Sequence, residues 1–158
     1  YIWKQYVDNF NKNAVMCMIG DGPLFIHCKK LVINLNLQKN ITFEGYIHDA
    51  LKKEKIFLKS KLILHTAIYD TGGMAALEGM SYGIPAISYD LEGLRETYPK
   101  GMYKIKPYDR NQFSKKIDDL IGKDSADYNK IRKEALNLIK EWNWIKRYNE
   151  FDEYISRQ

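Results

Sequence analysis

The segment with the clearest chemical potential is residues 66–74, TAIYDTGGM. Two adjacent glycines, Gly72 and Gly73, allow a backbone to approach a ligand closely. A helix that begins behind them would direct free N–H groups at an anion such as phosphate. Asp70 precedes the glycines, and Glu78 follows them within the next helical pattern. Because carboxylates are strong acceptors for hydroxyl groups, a ligand that carries both phosphate and sugar hydroxyls would account for both charges.

A structural interpretation of the same residues stays open. In that interpretation Gly72 and Gly73 form a tight turn, Asp70 caps a helix and Glu78 is a solvated helix position. The G-x-G-x-x-G spacing of dinucleotide-binding turns is absent. Its absence argues against NAD and FAD but leaves other nucleotides open.

The elements around this segment alternate between short apolar runs and helical patterns. The apolar runs predict strands over 14–19, 41–43, 62–66, 85–89 and 102–105. The 3.6-residue periodicity predicts helices over 1–10, 24–35, 49–58, 73–82, 111–121, 128–142 and 145–155, with Asp49 capping the third. This alternation indicates an α/β fold, a Rossmann-like doubly wound parallel sheet whose strands are buried on both faces. Since ligands of such sheets bind beyond the carboxyl ends of the strands, the loops of interest are 20–23, 45–49, 66–73 and 89–93.

Composition sets limits on the partners of the chain. The 158 residues correspond to one domain, and the net charge of +5 is spread along the sequence. A spread excess of lysine favours phosphate-rich ligands or a peripheral contact with an anionic membrane, and it argues against nucleic acid. With no signal peptide and no apolar run of membrane length, we expect a cytoplasmic protein. We expect Cys17 and Cys28 to be structural thiols, and no metal site, since His27 and His48 lack acidic neighbours at ligand spacing.

Three motifs together resemble a known family. They are GDGP at 20–23, ITFEGYI at 41–47, and DTGGMAALEGMSYGIP at 70–85, in which Asp70 and Glu78 are separated by seven residues. In order and spacing they resemble the C-terminal, donor-binding domain of the retaining GT-B glycosyltransferases of family-4, or group 1, type. The resemblance covers residues 14–150 approximately. It implies a C-terminal GT-B half, and transfer of a sugar from a UDP-, GDP- or ADP-sugar with retention of anomeric configuration and without a cofactor.

The resemblance also implies roles for individual residues. Glu78 stands where the family binds the donor ribose, and Asp70 stands where an acidic residue faces the donor sugar, so both are predicted catalytic-site residues. Backbone amides that meet the sugar and the diphosphate would come from Gly72, Gly73, Met74 and Ala75. The nucleobase region would be formed by Tyr46, Ile47, Asp49 and Lys52.

The sequence departs from the family pattern at several positions. Asp70 replaces the usual Glu, Gly72 stands where Phe is frequent, Gly79 stands where Ala is usual, and His65 stands where Pro is frequent. The family's first strand, whose loop carries the Arg and Lys that clamp the diphosphate, has no counterpart here, and neither has the N-terminal acceptor-binding domain. We therefore expect residues 1–158 to form a single nucleotide-sugar-binding domain that works with an acceptor-binding domain elsewhere in a longer chain.

Two other functions stay open at this stage. A nucleotide-sugar epimerase of GT-B architecture would need a further acid/base set that the sequence does not display. A non-catalytic nucleotide-sugar-binding subunit would use the same pocket without turnover.

Several remaining residues have structural interpretations. His65 is expected to be a hydrogen-bonded structural histidine, and the charged group Glu92, Arg95 and Glu96 is expected to lie on a solvated helix. The aromatic residues Trp142, Trp144 and Tyr148 are predicted to pack in the core or against another domain.

Overall fold

The computed structural model describes residues 1–141 and 144–157. Within these residues strands and helices alternate along the chain. In chain order they are α1 Ile2–Asn9, β1 Met16–Ile19, α2 Phe25–Asn34, β2 Ile41–Gly45, α3 Ala50–Lys59, β3 Ile63–His65, α4 Met74–Met80, β4 Ala86–Tyr89, α5 Glu92–Thr97, β5 Met102–Ile105, α6 Arg110–Ile121, α7 Ser125–Glu141 and α8 Trp144–Ser156.

The predicted α/β, Rossmann-like architecture is confirmed. Each predicted strand and helix is present, with ends that differ by at most three residues; the predicted helix end at Trp142 lies outside the described residues. The predicted cap of α3 is also confirmed, because the Asp49 carboxylate accepts hydrogen bonds from the backbone N–H groups of Leu51 and Lys52 at 2.9 and 3.2 Å. No helix in the described part of the chain is long and apolar enough to cross a membrane.

The strands form two parallel sheets rather than the one continuous sheet that the sequence predicted. One sheet pairs β1 with β2, and the other has the order β3-β4-β5. Every residue of β4 is buried, as expected for a central parallel strand. In β1, by contrast, Met18 and Ile19 are 36% and 38% exposed. The prediction that this strand is buried on both faces is therefore wrong, because an open cleft of about 940 Å³ lies along its free side, between β1 and β3.

Two apolar clusters support the sheets. The larger one joins α1 and α6 to the strands through residues such as Tyr6, Ile87 and Phe113. The smaller one lies beneath α4 and α5 and includes Met80 and Tyr98. The smaller cluster therefore holds the two helices that flank the glycine-rich segment.

Gly79 in α4 lies against β3. A Cβ atom at this position would stand 2.5 Å from Ile63 Cδ1 and 2.6 Å from Ile63 Cγ1, distances that real Cβ atoms do not adopt. The isoleucine side chain therefore occupies the space of the alanine that the family resemblance led us to expect. Since a β-branched side chain has few alternative rotamers, Ile63 cannot easily move aside.

We expect Gly79→Ala to lower the free energy of unfolding in the natural background. Overpacking of about 1–3 kcal/mol outweighs the gain of about 1 kcal/mol that alanine brings to a helix interior. Chemical denaturation of the natural chain and of Gly79→Ala, each with and without Ile63→Ala, measures the coupling. Alanine at position 63 removes both atoms that the new Cβ would meet, so Gly79→Ala is expected to be neutral or stabilising in that background. Equal effects in the two backgrounds would contradict the packing account.

Candidate functional site

The glycine-rich segment between β3 and α4 is organised around the carboxylate of Asp70. Its Oδ1 accepts hydrogen bonds from the backbone N–H groups of Gly72 and Gly73 at 2.8 and 2.7 Å. Its Oδ2 lies 2.9 Å from Nε2 of His65, the last residue of β3. Both carboxylate oxygens are therefore engaged inside the turn. His65 makes the hydrogen bond that the structural interpretation of this residue required.

These contacts stabilise the charged form of Asp70. The backbone N–H groups of Gly73 and Gly72 lower the pKa of the carboxyl below its ordinary value, with a smaller contribution from His65, while partial burial opposes the shift. The carboxylate consequently remains ionised well into the acidic range, where it keeps the turn closed.

Residues of α5 and its C-cap also contact the turn and support it. Tyr98, the C-cap of α5, donates a hydrogen bond from its hydroxyl to the carbonyl oxygen of Gly72 at 2.5 Å. Burial and the charge of Asp70 raise the pKa of Tyr98 to about 12, so the hydroxyl stays a donor at neutral pH. Gly93 lets α5 approach closely, since a Cβ there would lie 3.0 Å from Thr71 Cα. Gly73 has a φ of +57°, a conformation that favours glycine. The segment is thus a fixed turn.

Glu78 faces the opposite way, toward the cleft between the two sheets. Its Oε1 lies 2.8 Å from Nζ of Lys53 in α3, and its side chain is 48% exposed. The hydrogen bond to Glu78 raises the pKa of Lys53 above its ordinary value. Both residues line the cleft, together with Thr66 and Ala75. A carboxylate and a cation therefore meet at the end of the cleft nearest the carboxyl ends of the strands.

The segment that follows β2 contributes a second set of predicted residues. Tyr46 is 69% exposed, and its ring lies 4.5 Å from the ring of His48. Ile47 is buried. The Asp49 carboxylate is engaged in its cap, and Lys52 forms an ion pair with Glu44 at 2.8 Å. Of these side chains, Tyr46 is the one available for stacking on a planar ligand.

The structure places some of the predicted site residues along the cleft and directs others away from it. Glu78 and Ala75 line the cleft, whereas Lys52 is directed to Glu44. Sequence reasoning missed Lys53, the lysine that reaches Glu78. No local signal distinguishes Lys53 from its neighbour Lys52, because the choice depends on how α3 is rotated relative to α4.

Other predicted residues lie away from this site. Arg95 pairs with Asp90 at 2.8 Å and is well exposed, as expected of a solvated helix. Trp142 and the side chain of Trp144 lie outside the described residues, and Tyr148 is 66% exposed, so packing against another domain stays a prediction. No cluster of three potential metal ligands occurs in the portion of the chain that the structure describes.

Asp70→Asn tests whether the negative charge of Asp70 stabilises the turn. Asparagine keeps one acceptor oxygen but loses the charge, so we expect a loss of about 1 kcal/mol of unfolding free energy at neutral pH. Since the folded-state pKa of Asp70 is lowered, its contribution is present above the unfolded pKa of about 3.9 and disappears as the pH falls through the folded-state value. Denaturation curves measured between neutral pH and about pH 2 should show that the free energies of unfolding of Asp70→Asn and of the natural protein become equal in acid.

The exposed Asp152→Asn serves as the charge-matched control and is expected to change neither stability nor its pH dependence. A constant difference between Asp70→Asn and the natural protein across this range would contradict an ionised Asp70 in the turn.

Comparison with known proteins identifies the family to which this sequence belongs. Residues 2–138 match the family model described as glycosyl transferases group 1. Among curated proteins, the chain is similar to poly(glycerol-phosphate) alpha-glucosyltransferase of Bacillus subtilis, with 26% identity over 133 residues, 82% of this chain and 19% of that protein.

Solved structures share the fold. A mutant of Staphylococcus aureus TarM in complex with fondaparinux, alpha-GlcNAc-glycerol and UDP superposes with a TM-score of 0.82 at 21% identity, over 94% of this chain and 30% of TarM. Anabaena Alr3699/HepE in complex with UDP and glucose gives a TM-score of 0.81 at 16% identity, over 99% of this chain and 44% of that protein. The chain thus spans less than half the length of each of these proteins. On the match over residues 2–138, the chain belongs to the group 1 glycosyl transferases.

Proposed function

We propose that this chain is the donor-binding part of a glycosyltransferase that transfers a sugar from a nucleoside-diphosphate-sugar with retention of anomeric configuration. The observation that carries the proposal is Glu78. It is a half-exposed carboxylate, anchored by Lys53 at the end of the cleft nearest the carboxyl ends of the strands. It also occupies the position at which the group 1 pattern has its ribose-binding glutamate.

The geometry of Glu78 suits the recognition of a diol. Lys53 bonds to Oε1, which leaves Oε2 and a further lone pair on Oε1 as acceptors for two neighbouring hydroxyl groups. Lys53 holds the carboxylate in place, and charge-assisted bonds to hydroxyls are stronger than neutral ones. Two proteins of the same fold have been solved in complex with UDP, a ligand whose ribose carries such a diol.

The diphosphate would lie beside the amino end of α4. Loss of the nucleoside diphosphate develops negative charge, which oriented backbone N–H groups stabilise. The amides of Gly72 and Gly73 are already bonded to Asp70, so Met74 and Ala75 are the predicted residues whose amides remain for the leaving group. The net charge of +5 attracts the anionic diphosphate over longer distances.

Asp70 would contact the donor sugar through Oδ2. Its Oδ1 accepts two hydrogen bonds from the turn, whereas Oδ2 is bonded to His65 and keeps a further lone pair. In the proposed reaction Oδ2 would face the sugar while His65 positions the carboxylate. A carboxylate there would stabilise the positive charge that develops on the anomeric carbon and ring oxygen.

We expect the 158-residue chain to bind UDP weakly and to transfer no sugar on its own. A complete transferase closes a second surface over the donor, positions an acceptor and excludes water. Calorimetric titration with UDP, and product analysis after incubation with UDP-glucose and UDP-N-acetylglucosamine, test both parts. Sugar transfer by this chain alone would contradict the expectation that an acceptor-binding domain is required.

Glu78→Gln should weaken UDP binding about tenfold or more, because each hydrogen bond to a charged group contributes about 1.5–3 kcal/mol. The matched control is Glu150→Gln. Glu150 is also 48% exposed and is paired with a basic side chain, Arg147, at 2.9 Å, but it lies on α8.

The control is expected to bind UDP as the natural chain does, and both variants are expected to keep their melting temperatures within a few degrees. Titration with GDP and ADP in parallel identifies the preferred base. An unchanged UDP affinity with a lowered melting temperature in Glu78→Gln would make Glu78 a structural residue.

A further inference from the structure

The outward face of α3, formed by Leu51, Lys55, Leu58 and Lys59, combines exposed leucines with lysines. Leu51 and Leu58 are each 66% exposed. They are seven residues apart in the sequence, so they lie on one side of the helix, about 10 Å apart along its axis. Lys55 is exposed between them, four residues after Leu51 and three before Leu58, on the same side. The two apolar side chains and this cation therefore form one solvent-exposed stripe.

Lysine is concentrated in this part of the chain. Five of the ten residues 52–61 are lysines, against one acidic residue, Glu54. Two of the five lysines are paired with glutamates of β2 and α4. The other three are exposed and form no ion pair in the described part of the chain; they are Lys55, Lys59 and Lys61. The positive charge of the chain therefore has a local maximum at α3.

The inner side of α3 holds the helix in the fold without using this stripe. Phe57 is buried, and its ring lies 5.2 Å from the ring of Tyr82. Lys53 on the same inner side reaches Glu78. Lysines near the carboxyl end of a helix are explained by the helix dipole, but two exposed leucines on one stripe are not. The leucines therefore call for an apolar partner outside the described residues.

The chemistry of the outward face selects the kind of partner. Protein interfaces are depleted in lysine and enriched in aromatic residues and arginine, and this face contains no aromatic residue and no arginine. A nucleic acid would pair its phosphates with the lysines but would leave both leucines in water. An anionic bilayer uses both kinds of side chain, because leucines enter the boundary between headgroups and acyl chains while lysines extend to the lipid phosphates.

We propose that the outward face of α3, with Lys61 just beyond the helix, docks on the surface of a bilayer that contains anionic lipids. The contact is peripheral and reversible, because two leucines and three lysines at a helix of ten residues make a weak anchor. Since Lys53 and Glu78 meet on the inner side of α3, docking places the candidate site about one helix diameter, about 10 Å, from the headgroups. The inference rests on exposure and charge at α3, and it is independent of the proposed function.

Sedimentation of the chain with unilamellar vesicles is the first test. We expect binding to vesicles of phosphatidylcholine and phosphatidylglycerol in about a 2:1 ratio, and binding at least about tenfold weaker to phosphatidylcholine alone, because each lysine near an anionic surface contributes about fivefold. Binding to the anionic vesicles is expected to weaken as salt is added, since the charges are then screened. Equal binding to both kinds of vesicle, or binding to neither, would overturn the proposal.

Two double variants locate the contact. Lys55→Gln with Lys59→Gln removes charge, and Leu51→Gln with Leu58→Gln removes apolar surface, while glutamine preserves helix propensity. Each pair is expected to weaken binding to the anionic vesicles about tenfold or more and to leave the melting temperature unchanged, because all four side chains are exposed. Undiminished binding by either double variant would overturn the proposal.

Helix α2 provides the matched control. Ile26 and Ile33 are 61% and 57% exposed and also stand seven residues apart, with Lys30 four residues after Ile26. The neighbouring Lys29 lies over the ring of Phe25 at 4.5 Å, so this helix lacks a cluster of free lysines.

The double variant Ile26→Gln with Ile33→Gln is expected to bind the anionic vesicles as the natural chain does. A loss as large as that of the α3 leucine variant would show that any exposed apolar pair suffices, and it would overturn the proposal. Self-association of the chain that disappears in the α3 leucine variant, without vesicle binding by the natural chain, would assign the outward face to a second copy and would also overturn it.

Discussion

The pairing of β4 along both of its edges determines where the candidate site stands. Its residues are buried, and its register with β3 and β5 aligns His65 with Ser88 and Ile105 with Tyr89. The segments that follow these strands therefore begin at the same level. That alignment allows α5 to lie beneath the glycine-rich turn, where Tyr98 and Gly93 make their contacts.

Asp70 and Glu78, the two carboxylates that the sequence assigns to the site, have different environments in the structure. Asp70 is directed inward and accepts three hydrogen bonds that shape a turn, while Glu78 is directed outward and is held by one lysine. The short aspartate side chain explains part of the difference, since an Asp carboxylate easily reaches the N–H groups two and three residues further along the chain. The same replacement of Glu by Asp that appears conservative in sequence therefore changes what the side chain can reach.

The sequence was informative where local patterns decide structure. Apolar runs located the strands, and Asp49 marked the start of α3, because burial and capping leave a local signature. It was less informative about long-range contacts. Nothing near Lys52 or Lys53 shows which of them meets Glu78, because that depends on the rotation of α3 relative to α4. The division of the predicted sheet into two also depends on which strands become neighbours, a non-local property.

The two sheets have a consequence for the order in which the molecule folds. Each sheet pairs strands that are close in sequence, whereas α1 and α6 join residues such as Gln5 and Asn111, which are 106 positions apart. Contacts between residues so far apart in sequence form slowly, so we expect each sheet to form before the two dock. Lys53 lies in α3, after the first sheet, and Glu78 lies in α4, between β3 and β4 of the second sheet. The ion pair at the mouth of the cleft therefore joins the two sheets, and the candidate site is complete only when they are docked.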